Sequence, residues 1–572
     1  MAITTVTGDG ISEAGIPLLE DVVTGSVSFN GRPSRRSKSG CWKSASFIIG
    51  VEVAERFAYN GICSNLITYL TGPLGQSTAA AAANVNVWDG TATLLTLLGA
   101  FVADSFWGRY RTIIIASVTY ILGLGFLSVS AAFHSSNSSS CKNNDNSNCS
   151  PPAFEVVFFF FSLYLVAFGQ GGHKPCVQAF GADQFDEEDE AELKAKSSFF
   201  NWWYFSMNGG ILAAILVLNY VQEYISWELG FGIPCIVMCL ALVVFLLGSM
   251  TYRFHISSDE RNPFVRIGRV FVKAARNWKA TPAAASMEEK GQGIPSQRGA
   301  KLTFLDKAIL VREGADEDGD TCSIVDINEA KGVLGLVPIW CTCLGYAIIS
   351  SQASTLFTKQ GATMDRHITR GFQIPAASLQ SLISTSILVL IPIYDCFLIP
   401  VARIITKKPA GISMLQRIGA GIFLSFLVMV IAALVERQRL ATAVGHGLVD
   451  KPDETVPMSV WWLAPQYLLL GFADVFTMVG LQEFFYDQVP AELKSLGLAL
   501  YLSIFGIGSF LSSFLISFID TATSGDGHYS WFSSNLNRAR LDYFYWLLGC
   551  ISAVTMAAYV YSAKSYTYKR KE

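Results

Sequence analysis

The sequence predicts an all-α integral membrane protein with twelve transmembrane helices, and three observations lead to this prediction. Apolar residues make up 51% of the 572 residues and charged residues only 15%, whereas a soluble domain carries roughly 25% charged residues. The mean hydropathy is positive, at +0.38. Apolar runs of roughly 20 residues, the length that crosses a hydrocarbon core of about 30 Å, recur twelve times.

The apolar runs form two sets of six, separated by one long polar stretch. The first set comprises 46–70, 87–107, 112–133, 154–178, 200–220 and 229–249, and the second comprises 333–352, 376–400, 412–435, 459–487, 497–519 and 543–562. The predicted parts of the chain are a cytoplasmic polar tail (1–45), a first six-helix bundle (46–251), a cytoplasmic linker (252–331), a second six-helix bundle (332–562) and a cytoplasmic basic tail (563–572).

Charge balance and absent motifs exclude several classes of protein. The chain has 42 Lys and Arg against 45 Asp and Glu, which argues against a nucleic-acid partner. Its cysteines show no C-x-x-C spacing, so neither a zinc site nor a disulfide-stapled domain is expected. No catalytic constellation and no G-x-x-x-x-G-K-[ST] motif occurs. We therefore expect a protein that is not an enzyme, has no cofactor and draws its energy from an ion gradient; the resemblance described below implies that the ion is the proton.

The loop charges predict the orientation in the membrane. The first 40 residues contain no apolar signal region, so the first span is expected to direct insertion. Lys and Arg concentrate in the tails and loops that are cytoplasmic if the N-terminus is cytoplasmic, which predicts that both termini lie there. The N-x-S sequons at Asn137 and Asn148 then fall in an outside loop. They are glycosylation candidates, although loops rich in Asn and Ser also produce sequons by chance.

One segment of the linker has helical periodicity. Phe264, Ile267, Phe271 and Trp278 fall on one face, and basic residues line the remainder. A basic amphipathic helix of this type is expected to lie on the membrane surface, with a calmodulin-type target as the alternative.

Charged residues inside the apolar runs are the candidate functional groups, because each costs about 2.5–3.5 kcal/mol to insert. Glu52, Glu55 and Arg56 share one helical face of the first run. Lys174 lies in the fourth run and Glu483 in the tenth. Counted along their helices, all five belong to the cytoplasmic half of the membrane. They form either an ion-paired cluster that only holds helices together or, since acids outnumber bases, a site that takes up and releases protons.

Two further charges lie at the cytoplasmic end of the second run. Asp104 and Arg109 belong to the segment Gly99-Ala-Phe-Val-Ala-Asp-Ser-Phe-Trp-Gly-Arg109. They are placed to lock a cytoplasmic gate, and the alternative is an ordinary charged helix end. Asp474, in the tenth run, is equally compatible with a functional and a structural role.

Several motifs resemble one known family in order and spacing. Glu52-Val-Ala-Glu-Arg-Phe57 resembles the E-x-x-E-R-F motif of proton-coupled oligopeptide transporters in the major facilitator superfamily. Phe180-Gly-Ala-Asp-Gln-Phe-Asp186, Lys174-Pro175 and Gly480-Leu-Gln-Glu-Phe-Phe-Tyr486 resemble further motifs of that family. Leu536-Asn-Arg-Ala-Arg-Leu-Asp-Tyr-Phe-Tyr-Trp-Leu547 and the long linker resemble its plant branch, the nitrate transporter 1/peptide transporter family.

The resemblance implies a major facilitator fold, in which two pseudo-symmetric bundles rock around a central site. It implies that Glu52 and Glu55 carry protons and that Arg56 and Lys174 are their exchanging salt-bridge partners. The residues that would then face the substrate are Tyr59, Gln352 and Glu483, with Glu483 presenting its carboxylate. Peptide carriers commonly have two tyrosines after this motif, whereas Tyr59 is followed here by Asn60.

The predicted function is proton-coupled symport of a small anionic or carboxylate-bearing solute by alternating access, with nitrate ahead of peptide. The reason is charge: a site with three acids and two bases becomes positive once two protons bind. The alternatives are a di- or tripeptide, a plant hormone or a specialised metabolite as substrate. A channel or a membrane sensor without coupled flux is the rival class. The expected partners are lipid, solute and protons, in the plasma membrane or the vacuolar membrane.

Overall fold

The computed structural model describes residues 21–142, 151–186, 188–255, 263–276, 304–305, 324–369, 371–406, 412–489, 494–524 and 529–566. Helices dominate these residues. Many of their outward faces carry large apolar side chains that are exposed, such as Leu247, Phe514 and Val554. Such faces are stable in hydrocarbon and costly in water, so this exposure agrees with a protein that is surrounded by lipid.

The first bundle begins with a short antiparallel hairpin and contains six long helices. The hairpin strands are β1 (Val22–Val27) and β2 (Pro33–Arg35). The helices are α1 (Cys41–Cys63), a short α2 (Leu66–Thr71), α3 (Thr78–Val102) with a π-helical turn (Ala103–Trp107), α4 (Arg109–Lys142), α5 (Ala153–Ala182), α6 (Glu190–Tyr224) and α7 (Trp227–Gly248). Strand β3 (Phe254–His255) follows, and then the linker helix α8 (Pro263–Arg276).

The second bundle repeats this plan with more interruptions. Its elements are α9 (Ile324–Leu334), α10 (Val337–Ser350), α11 (Leu356–Ala362), β4 (Met364–Asp365), β5 (His367–Thr369), β6 (Phe372–Gln373), a 3-10 turn (Ala376–Gln380), α12 (Ser381–Ile393), a π-helical turn (Tyr394–Leu398), α13 (Ile399–Thr406), α14 (Met414–Gly445), β7 (Val456–Ser459), a 3-10 turn (Val460–Leu463), α15 (Ala464–Asp487), α16 (Lys494–Thr523) and α17 (Leu541–Ser565).

All twelve predicted spans coincide with helical segments, so the predicted membrane fold is confirmed. Within the described ranges, eleven helical segments are long and apolar enough to cross a membrane. The twelfth is α1, which falls short in apolar character because it carries Glu52, Glu55 and Arg56. These charges are buried against the other helices of the bundle, so α1 crosses as an inner helix that is shielded from lipid.

The two bundles touch closely where α3 packs against α16. A Cβ atom added to Gly90 would lie 2.8 Å from the carbonyl oxygen of Gly506. Only glycine fits such an approach of two backbones. The α3–α16 seam therefore brings side chains of both bundles within hydrogen-bond distance near the middle of the two helices.

The hairpin, β3 and the linker helix lie at one face of the molecule, here called the linker face. Strand β1 pairs with β2 and also with β3, with Val27 opposite Phe254. The guanidinium of Arg253, which is buried, donates to Glu192 at 2.6 Å and to the carbonyl of Ser39 at 2.7 Å. Charged hydrogen bonds of this kind hold the start of α1, the end of α7 and the start of α6 together.

The linker helix corrects one prediction. Its helical form agrees with the predicted periodicity, but its apolar residue Ile267 packs against α9 of the second bundle, so this face is not turned to a lipid surface. Arg266 fixes the contact by pairing with Glu329 at 2.6 Å and with Asp326 at 3.2 Å. The sequence showed that this face needed an apolar partner, but periodicity alone does not say whether protein or lipid supplies it.

At the opposite face, here called the distal face, side chains join the two bundles directly. Lys359 donates to Thr71 at 3.0 Å, and Gln380 donates to the carbonyl of Ser64 at 2.8 Å. Arg366 of the second bundle forms an ion pair with Glu223 of the first. The bundles are therefore closed against each other at the distal face.

Candidate functional site

Helix α1 places two carboxylates around one guanidinium inside the first bundle. Arg56 Nε lies 2.7 Å from Glu52 Oε1 and 3.4 Å from Glu55 Oε2. Exposed fractions are 1% for Glu52, 0% for Glu55 and 8% for Arg56. Three of the four carboxylate oxygens are buried without a hydrogen-bond partner. A single cation cannot balance two buried carboxylates, so this cluster needs a proton or a second cation.

Lys174 of α5 is the nearest second cation. Its position follows from the glycine run before it: a Cβ on Gly99 would lie 2.1 Å from the carbonyl oxygen of Gly171, so α3 and α5 touch at this level. Lys174 is within Coulombic range of Glu55, Asp89 and Glu52. No carboxylate of the described residues lies within 4.0 Å of its ammonium. The cluster therefore contains one ammonium that is free to take a new anionic partner.

Asp89 is the functional candidate that the sequence analysis missed. It lies on α3, where it accepts a hydrogen bond from Tyr59 at 2.7 Å and one from Ser509 of the second bundle at 3.1 Å. The Tyr59 ring also stacks on Trp88, with ring centroids 5.2 Å apart. The predicted second span began at 87, which put Asp89 at its edge, whereas α3 begins at Thr78 and makes this residue an intramembrane acid. The rule that such acids are functional candidates would have found it.

Gln352 lies at the end of α10 and is fully buried. Its Nε2 donates to Ser512 Oγ at 2.9 Å, and Asn86 of the first bundle donates to the same hydroxyl at 3.0 Å. Its Oε1 has no partner. Because Ser509 and Ser512 are one helical turn apart, the structure brings Tyr59 and Gln352, both predicted to face the substrate, to the same α3–α16 seam.

Glu483 lies apart from this cluster. Its side chain is 48% exposed and approaches Arg417 of the second bundle at 3.7 Å. Arg417 in turn stacks over the ring of Tyr394 at 4.3 Å. Asp474, on the same helix as Glu483, is buried and accepts a hydrogen bond from Tyr346. Of the five charges predicted to form one cluster, four therefore lie in the first bundle, and Glu483 lies in the second, where it pairs with Arg417.

The predicted cytoplasmic gate is only partly described. Arg109 Nη1 lies 2.6 Å from Asp183 Oδ2, a residue of the Phe180–Asp186 motif. Asp104 belongs to the π-helical turn after α3, and its side chain lies outside the described ones. The same holds for Asn137, and Asn148 lies outside the described residues altogether, so both glycosylation candidates stay predictions.

The features so far define the class of protein. Helical spans in two bundles, with ionisable groups at the centre and a hydrogen-bonded seam between the bundles, are those of a multi-pass membrane transporter. A family model described as the POT family matches residues 110–532. The chain belongs to this family of proton-coupled transporters, which are carriers rather than enzymes.

Relatives and solved structures agree with this assignment. The chain is 62% identical to the Arabidopsis thaliana "Protein NRT1/PTR FAMILY 5.10" over 98% of each chain. It is 56% identical to "Protein NRT1/PTR FAMILY 5.14" of the same plant, over 97% of this chain and 98% of the relative. The crystal structure of an auto-inhibited POT family peptide transporter superposes with a TM-score of 0.69 at 23% identity, covering 92% of this chain and 98% of that one. A POT family transporter in complex with 5-aminolevulinic acid gives 0.61 at 17%, covering 96% and 100%. These two structures support the major facilitator fold predicted from the motifs.

Proposed function

We propose that this protein is a symporter that moves a small anionic or carboxylate-bearing solute together with protons by alternating access. The observation that carries the proposal is the buried cluster of Glu52, Glu55 and Arg56, whose excess carboxylate lacks a hydrogen-bond partner. Such a group changes its protonation when the cavity changes from one side of the membrane to the other. Alternating access also requires a site that is exposed to one side of the membrane at a time, and the closure at the distal face supports this.

The charge of the site supports an anionic solute. The carboxylate of Glu483 pairs with Arg417 and is not counted in the charge of the site. Asp89 lies near the cluster instead, so the site still has three carboxylates against the two cations Arg56 and Lys174. Two bound protons therefore turn the site positive. Lys174 is the cation without an ion-pair partner, and a small anion such as nitrate is the first candidate to meet it.

A peptide is the second candidate, because one observation favours it. Asp89 lies within Coulombic range of Lys174, so a cation and a carboxylate are both available to a solute that has an anionic and a cationic group. In a peptide carrier, Glu483 would supply the counter-charge for the amine. Replacing Glu483 by Gln should then abolish peptide transport, whereas an inorganic-anion carrier should keep or improve its affinity.

The experiment that tests the proposal is a substrate screen in voltage-clamped oocytes that express the full chain. Nitrate, a dipeptide, a plant hormone and a glucoside are applied at acidic and at neutral external pH. We expect inward current with nitrate or with another solute that bears an anionic group, and we expect the current to be larger at acidic pH. Solute uptake without proton uptake, seen as no acidification of the oocyte interior, would refute symport and indicate a channel. No solute uptake at all would indicate a sensor. Transport of neutral or cationic solutes alone would refute the charge argument.

We also propose that both termini face the cytoplasm, in the plasma membrane or the vacuolar membrane. The support is chemical, since the linker face carries the basic residues of the hairpin and linker helix, including Arg35, Arg36 and Lys273. Epitope tags at either end should be reached by antibody only after the plasma membrane is made permeable, and on intact isolated vacuoles they should be reached without permeabilisation if the carrier lies in the vacuolar membrane. Tags that react with antibody on intact plant cells would show that the termini face the outside, opposite to this proposal.

A further inference from the structure

A groove of about 850 Å³ opens at the distal end of the second bundle, where α14 ends and α17 begins; it is here called the α14–α17 groove. Asn537 in its wall accepts a hydrogen bond from Arg439 at 2.8 Å, and Arg439 also donates to Thr363, close to the ion pair at the distal face. Basic, apolar and aromatic side chains line the groove, among them Arg437, Arg538, Arg540, Leu440, Val444 and Trp546. A concave surface that combines charged and apolar walls suits an amphiphilic ligand.

The groove lies at the level where the hydrocarbon of the membrane is expected to end. The apolar run of α14 ends at residue 435, just before Arg437, and the last apolar run of the chain begins at 543, inside the groove. Tyr543 and Trp546 are exposed there, and these two residue types are enriched where hydrocarbon meets the lipid headgroups. The arginines of the groove therefore lie at the level of the lipid phosphates.

The groove has one more guanidinium than it has carboxylates. Arg538 Nε donates to Asp450 at 2.7 Å, and Arg540 Nε donates to Asp542 at 3.2 Å. Arg437 is exposed and forms neither an ion pair nor a hydrogen bond with any residue that the structure describes. Three arginines against two aspartates leave a net charge of plus one. One guanidinium is therefore available to an anion.

Aromatic rings hold the other two guanidinium groups in place. Arg538 Cζ lies 4.4 Å from the centre of the Tyr529 ring, and Arg540 Cζ lies 4.0 Å from the centre of the Tyr543 ring. Such contacts are attractive, and side chains that are already ordered lose less conformational entropy when a ligand binds. A guanidinium presents two parallel N–H groups that match two oxygens of a phosphate. The charged wall therefore suits a phosphate group.

We propose that the α14–α17 groove binds a phospholipid, with the phosphate of the headgroup on Arg437 and the first part of the acyl chains along the apolar wall. Basic pockets between membrane helices bind lipid headgroups in this way. A free phosphate ion can meet the same guanidinium, but it leaves Leu440, Val444 and Trp546 uncovered and forgoes the hydrophobic part of the binding energy. The proposal does not depend on the symport function, so either can fail without the other.

The test titrates the purified full chain, in an uncharged detergent, with two lipids that have the same acyl chains. Phosphatidylglycerol carries its only charge on the phosphate, and digalactosyl diacylglycerol is uncharged. Bound lipid is counted by native mass spectrometry. We expect phosphatidylglycerol to bind roughly tenfold more tightly, the effect of one charged hydrogen-bonded contact. It should also raise the thermal unfolding temperature, because a ligand that binds the folded state stabilises it.

Two variants should change this affinity in opposite directions. Arg437→Gln removes the unpaired guanidinium and should weaken phosphatidylglycerol binding roughly tenfold. Asp450→Asn releases Arg538 from its carboxylate and should strengthen the binding several-fold. Lys451→Gln and Asp453→Asn are the matched controls, because they change the net charge by the same amounts at exposed positions outside the groove. Both controls should bind the lipid as the unmodified protein does.

Three outcomes would overturn the proposal. Equal binding of the two lipids would show that the phosphate is not recognised. Equal weakening by Arg437→Gln and Lys451→Gln would show that the lipid responds to overall charge and not to the groove. Displacement of the lipid by inorganic phosphate at equal concentration would show that the groove takes a free ion. Should Arg437→Gln not fold, as judged by size-exclusion chromatography, Asp450→Asn decides: tighter binding supports the proposal, and unchanged or weaker binding refutes it.

Discussion

Replacing Glu55 by Gln tests the proposed coupling most directly. The glutamine keeps the size of the side chain in a fully buried position but cannot titrate. Arg56 retains its closer partner, Glu52, at 2.7 Å, so the local ion pair survives. We therefore expect the variant to fold and to keep its binding site while losing one proton from the transport cycle.

The size of the effect follows from one proton per carboxylate. A pH gradient of about two units is worth about 2.7 kcal/mol per proton, so loss of one coupled proton lowers steady-state solute accumulation roughly 100-fold. Exchange of labelled for unlabelled solute needs no net proton movement and should persist. Both quantities can be measured in the same proteoliposomes, with and without an imposed pH gradient.

Glu483→Gln is the matched control, because that carboxylate is half-exposed and pairs with Arg417 within the second bundle. It should leave accumulation of an inorganic anion dependent on the pH gradient. If Glu55→Gln accumulates solute to the unmodified level with the same pH dependence, the buried cluster is structural and the coupling mechanism proposed for it is wrong.

Three further predictions concern the surrounding structure. Glu223→Gln removes the ion pair with Arg366 across the distal face, worth about 1 kcal/mol, so amide hydrogen exchange in residues 364–373 should speed up roughly fivefold; unchanged exchange would show that the pair does not hold this face closed. Arg439 and Glu436 of α14 form a fully buried ion pair at 2.7 Å. Arg439→Gln breaks this pair and should destabilise the folded protein by roughly 3–5 kcal/mol, seen as a lower thermal unfolding temperature in detergent; an unchanged temperature would contradict the prediction. The backbone amide and hydroxyl of Ser37 donate hydrogen bonds to Asp21 and hold the pKa of its carboxyl below its usual range. These bonds, which hold the base of the hairpin, are intact at neutral pH and are lost as the pH falls through the lowered pKa. Limited proteolysis near the hairpin should therefore increase at acidic pH, and much less so in Asp21→Asn.

The membrane spans and the first-bundle charge cluster were predictable from sequence for physical reasons. A helix that crosses lipid needs a continuous apolar run, and side chains spaced by three and four residues share one face. The face shared by Glu52, Glu55 and Arg56 follows from their spacing alone, and the structure confirms their mutual contacts.

Contacts between distant segments were not predictable in the same way. Counting depth along helices placed Glu483 level with Lys174, but depth does not fix the direction in which a side chain points, and Arg417 is its partner. Asp89 was missed because apolar runs locate the lipid-facing part of a helix, whereas α3 continues nine residues before the predicted start of its span. The partner of the linker helix was equally undetermined, since Glu329 and Asp326 are more than 50 residues away from Arg266 in the sequence.

The sheet at the linker face has a consequence for the order in which the chain assembles. Strand β1 cannot find its second partner until Phe254 has been synthesised, after all six helices of the first bundle. Arg253, which completes the contacts to Ser39 and Glu192, is made at the same moment. The ribosome therefore delivers the residues that fasten the first bundle before it begins the second. Since domains generally fold as units during synthesis, the first bundle is complete as a folding unit while the second is still being translated.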